Sequence, residues 1–161
     1  MKVGRSVDPR PDHPDPPAPK RPLQLVIDAD CLIAGVLAGT GAASQLLDLW
    51  RDGAFELIAC PKLVGEVRKA LLDLRISSRY HITPDDVDEL CRRIQAESIW
   101  LPDPIDPPRV VPADAGDDYL IQLAKAGRAD ALVTRDHHFD KVVVAGLQIL
   151  PPRGIIPRLS R

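Results

Sequence analysis

The stretch Leu23-Gln24-Leu25-Val26-Ile27-Asp28 decides how this chain folds. Five residues, apolar except for Gln24, end abruptly on an acid. A run of that length and composition predicts a buried strand. An acid directly after a buried strand stands where an α/β sheet places its chemistry, beyond the carboxyl ends of the strands.

Downstream of Asp28 the pattern alternates between helical and extended. Ala43, Leu46, Leu47 and Trp50 keep helical spacing, and Gly53 follows as a stop signal. Phe55 to Ala59 reads as a second strand. Pro61 opens a helix whose apolar positions are Leu63, Val64, Val67, Ala70 and Leu71. Thr83-Pro84-Asp85-Asp86 has the form of a helix start: a capping hydroxyl, proline at the first helical position, then acids that favour the dipole. Val87, Leu90, Cys91 and Ile94 continue it. Ser98 to Leu101 predicts a short strand before a proline-rich loop over 102–112. A helix is expected from about Asp117 to Ala126, stopped by Gly127, and strands at Ala131-Leu132-Val133 and at Leu147 to Leu150. Strands alternating with helices imply an α/β fold, a three-layer α/β/α sandwich around a mostly parallel central sheet.

Upstream the character changes. Residues 1–22 hold seven prolines and only two valines as aliphatic residues of any size. Such a segment buries too little surface to offset its ordering entropy, so it reads as a disordered leader. The folded domain is expected over 23–156, with 157–161 as a short tail. No internal repeat is found.

The 161 residues suit one domain with a real core. An apolar fraction of 45% and a charged fraction of 27% are ordinary for a globular protein. The formal net charge of -2 does not advertise a nucleic-acid binder, so any basic surface must be confined to one face. Cys31, Cys60 and Cys91 fit no zinc spacing and read as buried side chains in a reducing compartment. No apolar run is long enough to span a bilayer, and the N-terminus lacks a secretory core, so a cytoplasmic protein with no membrane partner is expected.

The acids narrow the function. Asp136 comes three residues after the Ala131-Leu132-Val133 run, so it joins Asp28 at the carboxyl edge of the sheet. Glu66, on the Pro61 helix, lies at the border of the apolar stripe, and periodicity alone marks it as an ordinary border residue. Asp114, Asp117 and Asp118 cluster ahead of Tyr119-Leu120-Ile121. Acids at a helix start are common caps, but three within five residues exceed what one cap needs, and like charges so close call for a cation.

Taken in order, Leu25-Val26-Ile27-Asp28-Ala29-Asp30-Cys31-Leu32-Ile33, Pro61 through Glu66, Asp117-Asp118-Tyr119-Leu120 and Leu132-Val133-Thr134-Arg135-Asp136 resemble the PIN-domain ribonucleases, particularly the branch that holds toxins of toxin–antitoxin pairs. The resemblance spans residues 23 to about 156. It implies that Asp28, Glu66, Asp118 and Asp136 are the catalytic acids. Asp28, Asp118 and Asp136 would hold the metal, with Asp117 accessory and Thr134 supplying a hydroxyl to Asp136 or to a water on the metal. It implies homodimers, and inhibition by a small antitoxin lying across the groove. The family usually follows its first acid with a small hydroxyl residue and then Asn, whereas this chain has Ala29 and Asp30. Asp30 is therefore an accessory acid that adds charge at the centre.

A carboxylate cluster suits Mg2+, with Mn2+ an alternative, because both take oxygen ligands. The expected reaction is attack of water on an RNA phosphodiester with no covalent intermediate. Arg135 is the expected phosphate contact. Arg68, Lys69, Arg75, Arg79, Arg92 and Arg93 are further cations, each more naturally a solvated side chain. His137 and His138 are adjacent, point apart on any regular element and read as loop residues. Trp50 reads as core. Two rival readings stand beside the nuclease. One is a non-catalytic module of the same fold that binds RNA or protein. The other is a haloacid-dehalogenase-type phosphatase, suggested by Asp28-Ala29-Asp30, although its hydroxyl motif should precede the acidic pair and Val133-Thr134 follows it.

Overall fold

A computed structural model of the chain describes residues 21–105 and 118–159. The expected leader (all but its last two residues), most of the proline-rich loop, Asp114 and Asp117 lie outside the described residues.

Five strands form one sheet: β1 (Leu23–Ile27), β2 (Phe55–Ala59), β3 (Ile99–Trp100), β4 (Ala131–Val133) and β5 (Gln148–Leu150). Their order is β3-β2-β1-β4-β5, and every pairing is parallel. β1 is the central strand, with Leu25 opposite Leu57 on one side and Ala131 on the other. Burial on both faces is why it reads as a near-continuous apolar run: Leu25 and Val26 are fully buried.

Seven helices cover this sheet among the described residues: α1 (Ala29–Leu37), α2 (Ala42–Arg51), α3 (Pro61–Leu72), α4 (Leu74–Tyr80), α5 (Pro84–Glu97), α6 (Asp118–Ala126) and α7 (Pro152–Leu159). The chain steps outward from β1 to β2 and β3, then returns across the sheet to β4. With right-handed crossovers, that reversal puts α1 to α5 over one face and α6 over the other. The reversal point is the carboxyl end of β1, where Asp28 sits.

The start of α5 follows its sequence signal closely. Thr83 Oγ1 accepts from the Asp86 N–H at 3.1 Å, and the Asp86 carboxylate accepts from the Thr83 N–H at 2.9 Å, a reciprocal capping box. Donation to the carboxylate holds Asp86 below its ordinary pKa.

Three helices carried no legible signal. α1 has a single charged residue, Asp30, so it shows no amphipathic period; it lies between α2 and α3. α4 buries none of its residues and therefore shows no apolar stripe. α7 contains Pro157 and Gly154, both poor helix formers, yet it packs on α2 and buries Ile155 and Leu159. The fold thus runs on to Leu159, beyond the boundary at 156 expected from the sequence.

The stop at Gly127 works differently from expectation. The left-handed residue is Arg128, with φ of 53°. Its N–H bonds the Lys125 carbonyl at 3.1 Å and the Ala129 N–H bonds the Ala124 carbonyl at 2.8 Å, a Schellman closure. Gly127 answers to packing instead: a Cβ there would stand 2.9 Å from Ile58 Cδ1. Arg128→Gly should therefore stabilise the protein by about 1 kcal/mol, by removing the left-handed strain of a side-chain-bearing residue. Urea denaturation would check it; an unchanged midpoint would mean that Arg128 contributes compensating contacts.

Among the described residues, no single helix is long and apolar enough to cross a membrane.

Candidate functional site

Asp28 is the N-cap of α1. Its Oδ1 accepts from the Cys31 N–H at 2.8 Å, and its Oδ2 accepts from the Thr134 hydroxyl. Thr134 follows β4, the strand beside β1, and is itself buried. Thr134 Oγ1 also accepts from the Asp136 N–H at 3.0 Å. One hydroxyl therefore ties the two sheet-edge acids together. Ala29 offers no hydroxyl to Asp28, and the neighbouring strand supplies one in its place.

Asp28 is only 5% exposed, and burial raises its carboxyl above the ordinary value, partly offset by the bonds from Thr134 and Cys31. Ionised Asp28 is thus held in position but poorly solvated, which is the state a cation relieves.

Asp28, Asp30, Glu66 and Asp136 line one open cavity of about 370 Å3. Lys69 and Asp73, from α3 and its C-terminal end, complete the rim on that side. Glu66 does more than border a stripe: its Oε1 accepts from the Tyr119 hydroxyl. Tyr119 is buried, and Lys62 Nζ lies 4.5 Å from its ring centroid, so α3 and α6 brace each other through this pair. The α3 start is capped from a distance, since the Lys62 N–H donates to Asp103 Oδ1 at 2.7 Å.

Asp118 heads α6 and is 1% exposed. It is not among the walls of the acid cavity, although its neighbours Tyr119 and Leu120 reach Glu66 and the cavity respectively. Asp117 lies outside the described residues. Asp136 Oδ1 accepts from the His138 N–H at 2.9 Å, with His138 Nδ1 at 3.3 Å. Asp136 also walls a second cavity of about 320 Å3, which Thr134, Arg135 and His137 share.

The cations sort clearly. Arg68 pairs with Asp88, Arg75 with Asp73 at 3.0 Å, and Arg93 with Glu97 at 3.0 Å while lying over the Trp50 ring. The Arg75 partnership holds Asp73 down to about 2. Lys69 is the basic side chain that faces the acids, one turn along α3 from Glu66. That i, i+3 placement was readable from the sequence. The Tyr119–Glu66 bond was not, because it joins residues on separate helices. His137 and His138 turn to different acids, Asp140 and Asp136, and lie in a 3-10 turn over 137–139. All three cysteines are free and buried. Burial raises each thiol, Cys60 to about 11, which leaves them unreactive.

The sequence pattern of the PIN domain matches residues 24–138, from the first residues of β1 to the turn after Asp136. The chain belongs to the PIN domain family. No curated protein matches it. PIN domains are generally nucleases and commonly use divalent metals. A five-stranded parallel sheet between helices is the PIN-like sandwich, and membership sets the haloacid-dehalogenase reading aside.

The donor set of this PIN domain suits a divalent cation in its chemistry. Five carboxylates line the cavity, Asp73 being the one paired with Arg75, and carboxylate oxygens are the hard donors that magnesium and manganese prefer. Among the described residues, no three His, Cys, Asp or Glu side chains converge so as to hold an ion as placed, so Asp28, Asp118 and Asp136 are not a ready-made ligand cluster. Asp30 and Glu66 are exposed, Glu66 accepting from the Tyr119 hydroxyl. The chemistry fits, with closure of the ligand shell left to the ion.

Proposed function

We propose that this PIN domain is a metal-dependent ribonuclease that hydrolyses RNA phosphodiester bonds, acting in the cytoplasm as the toxin of a toxin–antitoxin pair. The observation that carries the reading is that Asp28, Asp30, Glu66 and Asp136, from α1, α3 and the turn after β4, line one open cavity at the carboxyl edge of the sheet. Asp28, Asp136 and the exposed Asp30 and Glu66 would hold Mg2+ or Mn2+, with Asp118 buried behind them. The bound ion supplies charge neutralisation at the phosphate and an acidified water.

The chain's own residues do the rest. Thr134 fixes the orientation of Asp28 and the backbone of Asp136 through one hydroxyl. Tyr119 holds the Glu66 carboxylate by donating to it. Lys69 reaches the phosphate from α3, and Arg135 reaches the neighbouring one from beyond β4. An antitoxin across the cleft and a second copy of the chain are the partners of this reading. Its support is α4, which starts beside Asp73 at the cleft rim and exposes Leu74 by 79%.

The test is cleavage of structured and single-stranded RNAs by purified protein in magnesium, manganese or EDTA, beside Asp28→Ala and Asp118→Ala. Metal-dependent cutting lost in both variants is the expected result. Metal binding without cutting of any RNA would favour the non-catalytic module, which Ala29 and Asp30 at the usual hydroxyl and Asn positions also suit. Lys69→Met should raise KM about tenfold and leave kcat nearly unchanged, since it removes one phosphate contact and no acid. A fall in kcat with KM unchanged would instead place Lys69 in the chemical step.

A further inference from the structure

The second cavity beside Asp136 is a nucleobase subsite, we infer, and it takes the base next to the phosphate held at the acids. The inference rests on the nuclease reading and adds what part of the RNA is recognised. Asp136 is a wall of both cavities, so a strand with one phosphate among the acids continues directly over the second. The volume of about 320 Å3 lies at the lower end of the range for ligand pockets, about 300–1,000 Å3.

Its lining has two parts. Val144, Leu147, Ile149 and Leu150 give an apolar floor, while Arg135 and His137 stand at the rim. Proteins that read single-stranded RNA splay a base out and stack it on aromatic, histidine or guanidinium planes. Both rim groups are planar and exposed. His137 Nδ1 lies 3.2 Å from Asp140 Oδ2, a contact that fixes the ring and leaves its faces open. Arg135 makes no ion pair among the described residues. The Arg135 guanidinium also gives an acidic protein a positive charge immediately beside its carboxylates. The opposite flank of the acid cavity offers Lys69 but no aromatic, histidine or guanidinium plane, so the base goes to the Asp136 side and the phosphate lies between.

The experiment measures binding of short, fluorescently labelled RNA homopolymers to the full chain in EDTA. Wild type is compared with His137→Ala, with Val143→Glu and with Lys69→Met. Val143 is 92% exposed and borders the pocket, so a charge there blocks the mouth without touching the core, and the His137 side chain is equally free of packing. The expected result is a wild-type preference among homopolymers, with His137→Ala and Val143→Glu each losing about tenfold in affinity and most of the preference. Lys69→Met should weaken all homopolymers alike. If Lys69→Met weakens binding but both pocket variants bind as wild type does, the subsite is overturned and the nuclease reading stands. If wild type binds no homopolymer, the subsite is overturned, and the nuclease reading is decided separately by cleavage in magnesium or manganese.

Discussion

Asp28→Asn should abolish metal-dependent cleavage and at the same time make the protein harder to unfold. The loss follows from the position of Asp28 between Thr134 and Cys31 at the head of the acid cavity. A metal ligand is worth several kcal/mol of transition-state charge stabilisation. At 1.36 kcal/mol per tenfold, the expected loss is at least about a hundredfold. The stability gain has a separate cause. Burial raises the Asp28 carboxyl above its ordinary value of 3.8, so the folded state binds the proton more tightly than the unfolded chain does. The favourable contribution is complete below 3.8 and is lost as pH rises through the raised folded value. At neutral pH the wild type therefore bears the cost of a poorly solvated carboxylate. Asn is neutral and still accepts from Cys31, so the variant should gain about 1 kcal/mol there. Thermal melts of both proteins from pH 3 to pH 8 check this: the gap should close as the acid side is approached. Magnesium should raise the melting temperature of the wild type and leave the variant unmoved. A variant that loses activity and stability together would mean that the charge on Asp28 supports the fold.

Gly35→Ala should be the most damaging small substitution in the helices, against the usual preference for alanine. A Cβ on Gly35 would stand 2.8 Å from the Ala43 carbonyl oxygen and 3.3 Å from Leu47 Cβ. α1 and α2 approach backbone to backbone at this point, so relief needs a shift of a whole helix rather than of a side chain. Alanine gains about 1 kcal/mol in helix propensity. Overpacking a tight site costs about 1–3 kcal/mol, and more when backbone is the obstacle. The net expectation is a loss of about 2 kcal/mol, or roughly 6 °C in melting temperature. Gly65→Ala is the control. Gly65 is exposed on α3 with nothing near its Cβ position, so it should gain up to about 1 kcal/mol. Opposite signs for the same substitution would isolate the α1–α2 contact; equal signs would mean that the two helices slide apart without cost. Because α1 is capped by Asp28, the Gly35 variant should also lose affinity for manganese.

Several parts of this molecule could be read without coordinates because local pattern determined them. The run into Asp28, the strand before Thr134 and the helix start at Thr83 are short-range signals, each carried by fewer than ten residues. The acids after β1 and β4 were placed by sheet geometry alone. Glu66 was not: periodicity ranked it as a border residue, and only the family pattern singled it out. Its bond from Tyr119 and the double role of Thr134 depend on contacts between distant segments, which no window along the chain contains. α1 went unread for the opposite reason. Helices on either side leave it with almost no polar face, so its period vanished into a uniform apolar run.

The hydroxyl of Thr134 meets a carboxylate 106 residues earlier in the chain. During synthesis, therefore, Asp28 leaves the ribosome long before the group that orients it has been made. At about 5–20 residues per second, that interval lasts about 5 to 20 seconds. A nascent chain that stops after β3 has its central strand paired on one side only and lacks Thr134 and Asp136 altogether. It presents a bare strand edge. Competence arrives late and all at once, when β4 slides in beside β1.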